Sequence, residues 1–145
     1  MSIFSLIFGG FLADKLISIG YKVINVRKSV NSIGFFGSSI FLYLISLQSD
    51  LFSVVLLLCL INFCSGVCQG GFGVNHADLG PKYTGTLVGI SGSIGMIAAI
   101  FSPMVAGLVL EVTNSWNLIF YICSGILVFG GLFYLKFASA SKQFN

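Results

Sequence analysis

Charge is scarce in this sequence. Of its 145 residues, seven are Lys or Arg and four are Asp or Glu. Soluble domains carry about 25% charged residues, and the 8% found here cannot cover a water-facing surface. The net charge is only +3, with no basic stripe interleaved with aromatics, so a nucleic-acid footprint is lacking. There is one histidine, and no Ser/His/Asp constellation forms around it. The run 70–75, Gly-Gly-Phe-Gly-Val-Asn, is glycine-rich but follows an apolar helix rather than a strand, so it lacks the context of a phosphate loop. Cys64 and Cys68 are spaced i, i+4, as some metal ligands are, yet no His or carboxylate stands near enough to complete a set. With Cys59 and Cys123 they read as small core residues. No catalytic residue, metal or cofactor is expected.

What the sequence has instead is apolar length. Hydrophobic residues make up 57% of it, and its mean hydropathy is +1.04. Four stretches, 29–49, 51–77, 83–110 and 112–135, contain no Asp, Glu, Lys or Arg. About 20 residues of helix span a bilayer core, and none of these stretches shows the alternation of a membrane strand. The expected fold is an all-α integral membrane protein with transmembrane helices at about 30–48, 51–74, 84–110 and 115–136. Residues 1–13 are apolar but too few to span, and no basic residue precedes them as in a signal peptide. They read as the end of a helix, followed by a loop at 14–29; residues 137–145 form a tail. Tyr83 and Trp116 stand near span ends, where aromatic anchors belong.

The basic residues orient the chain. Lys15, Lys22, Arg27 and Lys28 precede the first full span, Lys82 lies between the second and third, and Lys136 and Lys142 follow the last. The connections at Asp50 and Glu111 carry none. All seven then fall on one side, which the positive-inside rule makes cytoplasmic, with the C-terminus there too. Asp14 sits on that side at a helix C-terminus, where the dipole disfavours a carboxylate unless a cation offsets it. Lys15, Arg27 and Lys28 can supply that cation, which makes the cluster either a breakable latch between helix ends or a plain topology anchor.

Polar residues inside the spans are the candidate site. Asn62, Ser65 and Gln69 are spaced i, i+3, i+7 on one helical face. Such a stripe either lines a substrate path or bonds to a neighbouring helix. Gln69 is the strongest candidate, because its amide both donates and accepts. Gly85, Gly89, Gly92 and Gly95 form a row suited to close helix packing, and Pro103 can kink the same helix. His76 and Asp78 form a pair that either titrates near neutral pH or caps a loop.

Gly10, Asp14, Lys15, Arg27 and Lys28 together resemble the loop motif of the major facilitator superfamily, Gly-x-x-x-Asp-Arg/Lys with a later basic pair. The long spacer before Arg27 departs from sugar and drug transporters and resembles the anion:cation symporter family. Residues 75–91, Asn-His-Ala-Asp-Leu-Gly-Pro onward, are similar to that family's run after its tenth helix, and 115–143 to its twelfth helix and tail. The resemblance implies helices 8–12 of a twelve-helix fold, with residues 1–145 forming a partial C-terminal half. It implies secondary transport of a small organic anion or inorganic phosphate, coupled to a proton or sodium ion. The implied partners are the lipid bilayer, that substrate with its ion, and a missing N-terminal half. Where the family carries Asn-Thr this chain has Gly92–Ser93, leaving Ser91 and Ser93 as polar contacts. The family's charged anion- and proton-handling residues lie mainly on helices absent here, so this piece is expected not to transport alone. The competing expectation is a small four-helix membrane protein that acts through a partner and transports nothing.

Overall fold

The computed structural model describes residues 2–79 and 81–138, with side chains described throughout except at 2, 70–79 and 81. Among the described residues five helices follow one another: α1 (Ser2–Ser18), α2 (Val23–Ile45), α3 (Leu51–Leu79), α4 (Thr84–Thr113) and α5 (Trp116–Phe137). A single 3-10 turn, Pro81–Tyr83, leads into α4. The described residues contain no strand.

Several expected boundaries move: α2 ends at Ile45 rather than 48, and α3 runs on past 74 to Leu79. The loop at 14–29 contracts to a turn, because α1 runs on through Ser18 and α2 begins at Val23. Gly20 closes α1: at φ +104° it takes the left-handed conformation, and Tyr21 N–H reaches Leu16 O while Gly20 N–H reaches Ile17 O. That is a Schellman end, for which glycine is the favoured residue. The Gly10, Asp14, Lys15, Arg27 and Lys28 group therefore lies in helices, not in a loop. At the other end of α4, Asn114 adopts φ +49° and its N–H returns to Leu110 O, so that helix runs past 110 to Thr113. The expected tail beyond 138 lies outside the described residues.

Among the described residues, three helices are long and apolar enough to cross a membrane: Leu51–Gln69 within α3, α4 and α5. The other expected span, 30–48, coincides with most of α2, which is set apart by its polarity. Its buried residues include Arg27, Asn31, Ser38 and Ser39 beside Val26 and Val30. These face protein rather than lipid. Ser39 and Ser124 on α5 exchange hydroxyl bonds, each reaching the other's carbonyl at 3.1 and 3.0 Å with the two oxygens 2.8 Å apart. Nearer its start, Lys28 Nζ donates to Leu135 O at 2.6 Å. Residue 28 meets 135, 39 meets 124, and Tyr43 stacks 5.7 Å from Tyr121, so α2 and α5 run antiparallel.

The centre of the bundle is the packing of α3 against α1 and α2. The small apolar core joins Ala13 of α1, Val26 and Val30 of α2, and Val67 of α3. Large apolar side chains such as Phe4, Phe52, Met96, Ile100 and Phe129 stand outside, while Ser5, Asn31, Ser38 and Ser39 are buried. Polar groups inside and apolar groups outside is the arrangement lipid selects, since lipid offers a hydroxyl or amide no partner. Helix backbones come close enough for this only where side chains are missing. A Cβ at Gly34 would collide with Cys68 Cβ and lie 3.0 Å from Cys64 O, and one at Gly9 would lie 2.6 Å from Val67 O. A Cβ at Gly66 would overlap Ser5 Oγ.

Asp50 starts α3. Its Oδ2 accepts from Ser53 N–H at 3.0 Å and Ser53 Oγ at 3.1 Å, as an N-cap carboxylate does. Asp50→Ala is expected to lower stability by about 1 kcal/mol, whereas Asp50→Asn retains most of the cap. Thermal unfolding in detergent measures both, and an Asp50→Ala protein as stable as the wild type would refute the capping role.

Candidate functional site

The α3 stripe comes together as the spacing predicts, with Asn62, Ser65 and Gln69 on one face. Two rows of neighbours divide it. Towards α1, a cleft of about 270 Å³ is bounded by Ile3, Leu6, Asn62, Ser65, Gly66 and Gln69. Towards α2 and α5, a cleft of about 190 Å³ is lined by Gly34, Ser38, Ser65, Cys68, Gln69 and Leu127 among others. A third, of about 370 Å³, runs beside the end of α5, with Phe35, Phe133, Tyr134 and Phe137 as walls and Cys68 and Gln69 at its side. Gln69 borders all three.

The three stripe residues differ in what they have left to offer. Asn62 Nδ2 donates to Leu58 O of its own helix at 2.9 Å, which leaves one N–H and its Oδ1 to offer. Ser65 Oγ lies 3.5 Å from Ser38 Oγ, a loose contact. Gln69 is exposed and makes no hydrogen bond among the described residues, so both ends of its amide are available. The site can hydrogen-bond an oxyanion and a hydroxyl in apolar surroundings.

Other expected residues fall elsewhere. Ser91 and Ser93 lie on α4, where their hydroxyls bond back to Val88 O and Gly89 O, and neither borders these three clefts. The glycine row on α4 does not pack: a Cβ at Gly85, Gly89, Gly92 or Gly95 would meet nothing within 4 Å. None of the described α4 residues is buried, so the row faces away from the other described helices. Packing falls instead to Gly9, Gly34 and Gly66. The side chains of His76 and Asp78 lie outside the described residues.

The Asp14 latch is not closed. Asp14 is exposed and makes no ion pair among the described residues. It follows Ala13, which is fully buried, so one helical step of about 100° turns Asp14 away from the core. Arg27 points the opposite way, 4% exposed on the inner face of α2. Lys28 is engaged by the last turn of α5, where an ammonium suits the negative end of the helix dipole.

Asn31 was missed by sequence reasoning. It is 0% exposed, and its Oδ1 accepts from Cys68 Sγ at 2.8 Å. The signal was there: Asn31, Gly34 and Ser38 carry the same i, i+3, i+7 spacing on α2 as Asn62, Ser65 and Gln69 on α3.

The sequence pattern of the Major Facilitator Superfamily matches residues 1–143. Among curated proteins, the chain is 34% identical over 142 residues to an ascorbate transporter, chloroplastic, of Arabidopsis thaliana, covering 98% of this chain and 26% of that one. It is 33% identical over 135 residues to sodium-dependent phosphate transport protein 1, chloroplastic, of the same plant, covering 92% and 26%. It is 30% identical over 142 residues to human sialin, covering 95% and 29%. The chain thus spans less than a third of the length of these relatives.

Proposed function

The chain belongs to the Major Facilitator Superfamily, and from that premise we propose that it is part of a secondary transporter for small anions. The observation that carries this reading is Gln69, whose uncommitted amide stands where three clefts meet on the polar face of α3. The kinship to an ascorbate transporter and a sodium-dependent phosphate transport protein supports an anionic substrate. In this reading Asn62, Ser65 and Gln69 line the substrate path. Ser91 and Ser93 join it only when α4 approaches α3. The motif at Gly10, Asp14, Lys15, Arg27 and Lys28 gates a cytoplasmic end, on the side where the basic residues and the C-terminus lie. Asp14 is open in the conformation described and closes onto a cation in another. Coupling is to a proton or to sodium.

The described helices hold few groups able to neutralise an anion. Arg27 and Lys28 both lie within the first turns of α2, near its end. The 145-residue chain alone is therefore proposed to be inactive.

The test is uptake. The protein is captured from its own membranes with an antibody to residues 137–145, at whatever length it occurs there, and reconstituted into liposomes. Saturable uptake of labelled inorganic phosphate or ascorbate, stimulated by an imposed sodium or proton gradient, is expected. Uptake no greater than that of empty liposomes for both anions under both gradients overturns the reading and favours a non-transporting membrane protein.

A further inference from the structure

Asn31 lies deeper than any residue of the proposed substrate path. It is fully buried in a chain whose outer surface is apolar, and only one end of its amide is used. Oδ1 accepts from Cys68 Sγ at 2.8 Å, while Nδ2, equally buried, has no hydrogen-bond partner. A residue kept only for packing would not be an asparagine. A leucine has the same branched outline and leaves no amide donor unpaired, whereas the half-satisfied amide carries the desolvation cost of its unpaired Nδ2. An amide buried with its Nδ2 unpaired brings folding little, which points to a role outside folding.

Its surroundings suggest what that role is. Asn31, Gly34 and Ser38 lie along one face of α2 and meet α3 in succession: Asn31 at Cys68, Gly34 between Cys68 and Cys64, and Ser38 at Ser65. Gly34 brings the two backbones together but, having no side chain, cannot fix how α3 is turned about its own axis. The Ser38–Ser65 contact is loose at 3.5 Å. The thiol bond to Asn31 is the shortest of these polar contacts, and Cys68 is the residue before Gln69. Each residue of a helix is offset by about 100° from the next, so holding Cys68 against α2 turns Gln69 away from it. Gln69 borders the cleft on the α1 side as well as those on the α2 side.

We propose that Asn31 is a positioning residue: through its bond to Cys68 it sets the rotation of α3 that presents Gln69 to the substrate path. The proposal rests on the transport reading above for its functional consequence, but its structural half stands apart from it. Asn31 touches no substrate in this scheme. It works on binding by restricting α3 to the rotation in which the Gln69 amide is available.

Asn31→Leu removes the bond while keeping the branched outline of the side chain, and Asn31→Ala, which removes it without added bulk, separates loss of the bond from overpacking. Three readouts are taken on the native-length protein. The thermal stability of Asn31→Leu in detergent is expected to equal or exceed that of the wild type. Its KM for the transported anion is expected to rise roughly tenfold with little change in maximal rate, the effect of about one hydrogen bond on binding. Asn31→Gln, which restores an amide, recovers part of the affinity. The third readout needs no transport. Labelling of Cys68 by a membrane-permeant maleimide, taken as the difference from the matched Cys68→Ala protein in a background of Cys59→Ala, Cys64→Ala and Cys123→Ala, is expected to be faster with Asn31→Leu than with Asn31 present.

Faster labelling with raised KM and retained stability supports the proposal. Faster labelling in a protein whose wild type carries no anion upholds the positioning of α3 while refuting the transport reading. Unchanged labelling overturns the proposal. So does a loss of stability that parallels the loss of uptake, which would make Asn31 a folding residue, or an unchanged KM in a transporting protein.

Discussion

Gly34→Ala is expected to destabilise the protein by about 1–3 kcal/mol, the range for forcing one extra carbon into a packed contact. The added Cβ would collide with Cys68 Cβ and stand 3.0 Å from both Cys64 O and Cys68 Cα. Two of these three atoms belong to the backbone of α3, so rotating a side chain cannot relieve the crowding. The helices must separate, and the Asn31–Cys68 and Ser38–Ser65 contacts on either side must lengthen with them. Gly10→Ala is the matched control. Gly10 lies in the interior of α1, where an added Cβ meets nothing within 4 Å. Alanine there is expected to leave stability unchanged or raise it by about 0.5–1 kcal/mol, the penalty glycine carries inside a helix. Denaturant titration in mixed micelles compares the two. Equal stability of Gly34→Ala and wild type would mean that α2 and α3 do not meet backbone to backbone.

Gln69→Leu is expected to reduce uptake efficiency by about tenfold to a hundredfold, the loss of one hydrogen bond to a charged ligand. Folding should be unaffected, because the exposed Gln69 amide bonds to no described residue. Gln69→Glu is expected to be worse for an anion, since it sets a carboxylate where the substrate charge must sit. Asn62→Leu should cost less, because the Asn62 amide is already held to Leu58 O and has one donor fewer to offer than Gln69. Initial rates of labelled anion uptake in proteoliposomes, normalised to protein incorporated, rank the three. If Gln69→Leu and Gln69→Glu both transport like the wild type, the α3 face is not the substrate path.

Much of the architecture was legible in the sequence because lipid imposes a simple rule. Stretches of more than 20 residues without charge have to be helices, and α3, α4 and α5 follow from that alone. The polar stripe of α3 was legible too, since a fixed helical period puts Asn62, Ser65 and Gln69 on one face whatever surrounds them. What could not be read was which face meets which helix. The glycines of α4 are regularly spaced and looked like a packing row, yet they meet nothing in the described structure, while isolated Gly34 and Gly66 sit at the tightest contacts. Spacing reports the geometry of one helix, and packing depends on its neighbour. The group around Asp14 misled for a related reason. Charged residues at a membrane edge suggest a loop, but nothing in 14–18 or 23–28 breaks a helix, and the break falls at Gly20. Asn31 escaped because it was weighed as part of an apolar stretch rather than as a polar residue needing a partner.

A helix whose inner face carries Arg27, Asn31, Ser38 and Ser39 enters lipid poorly by itself. Alone, each of those groups would face hydrocarbon; against α3 and α5, Asn31, Ser38 and Ser39 find Cys68, Ser65 and Ser124. Two of these three partners lie on α3, which follows across only residues 46–50 and is apolar enough to insert unaided. During synthesis α2 is therefore expected to depend on a segment made after it. The expected unit of insertion is an α2–α3 hairpin, with Ser39 waiting for α5. A mutation that loosens the hairpin would then act before folding is complete, as a fault of membrane insertion and chain topology.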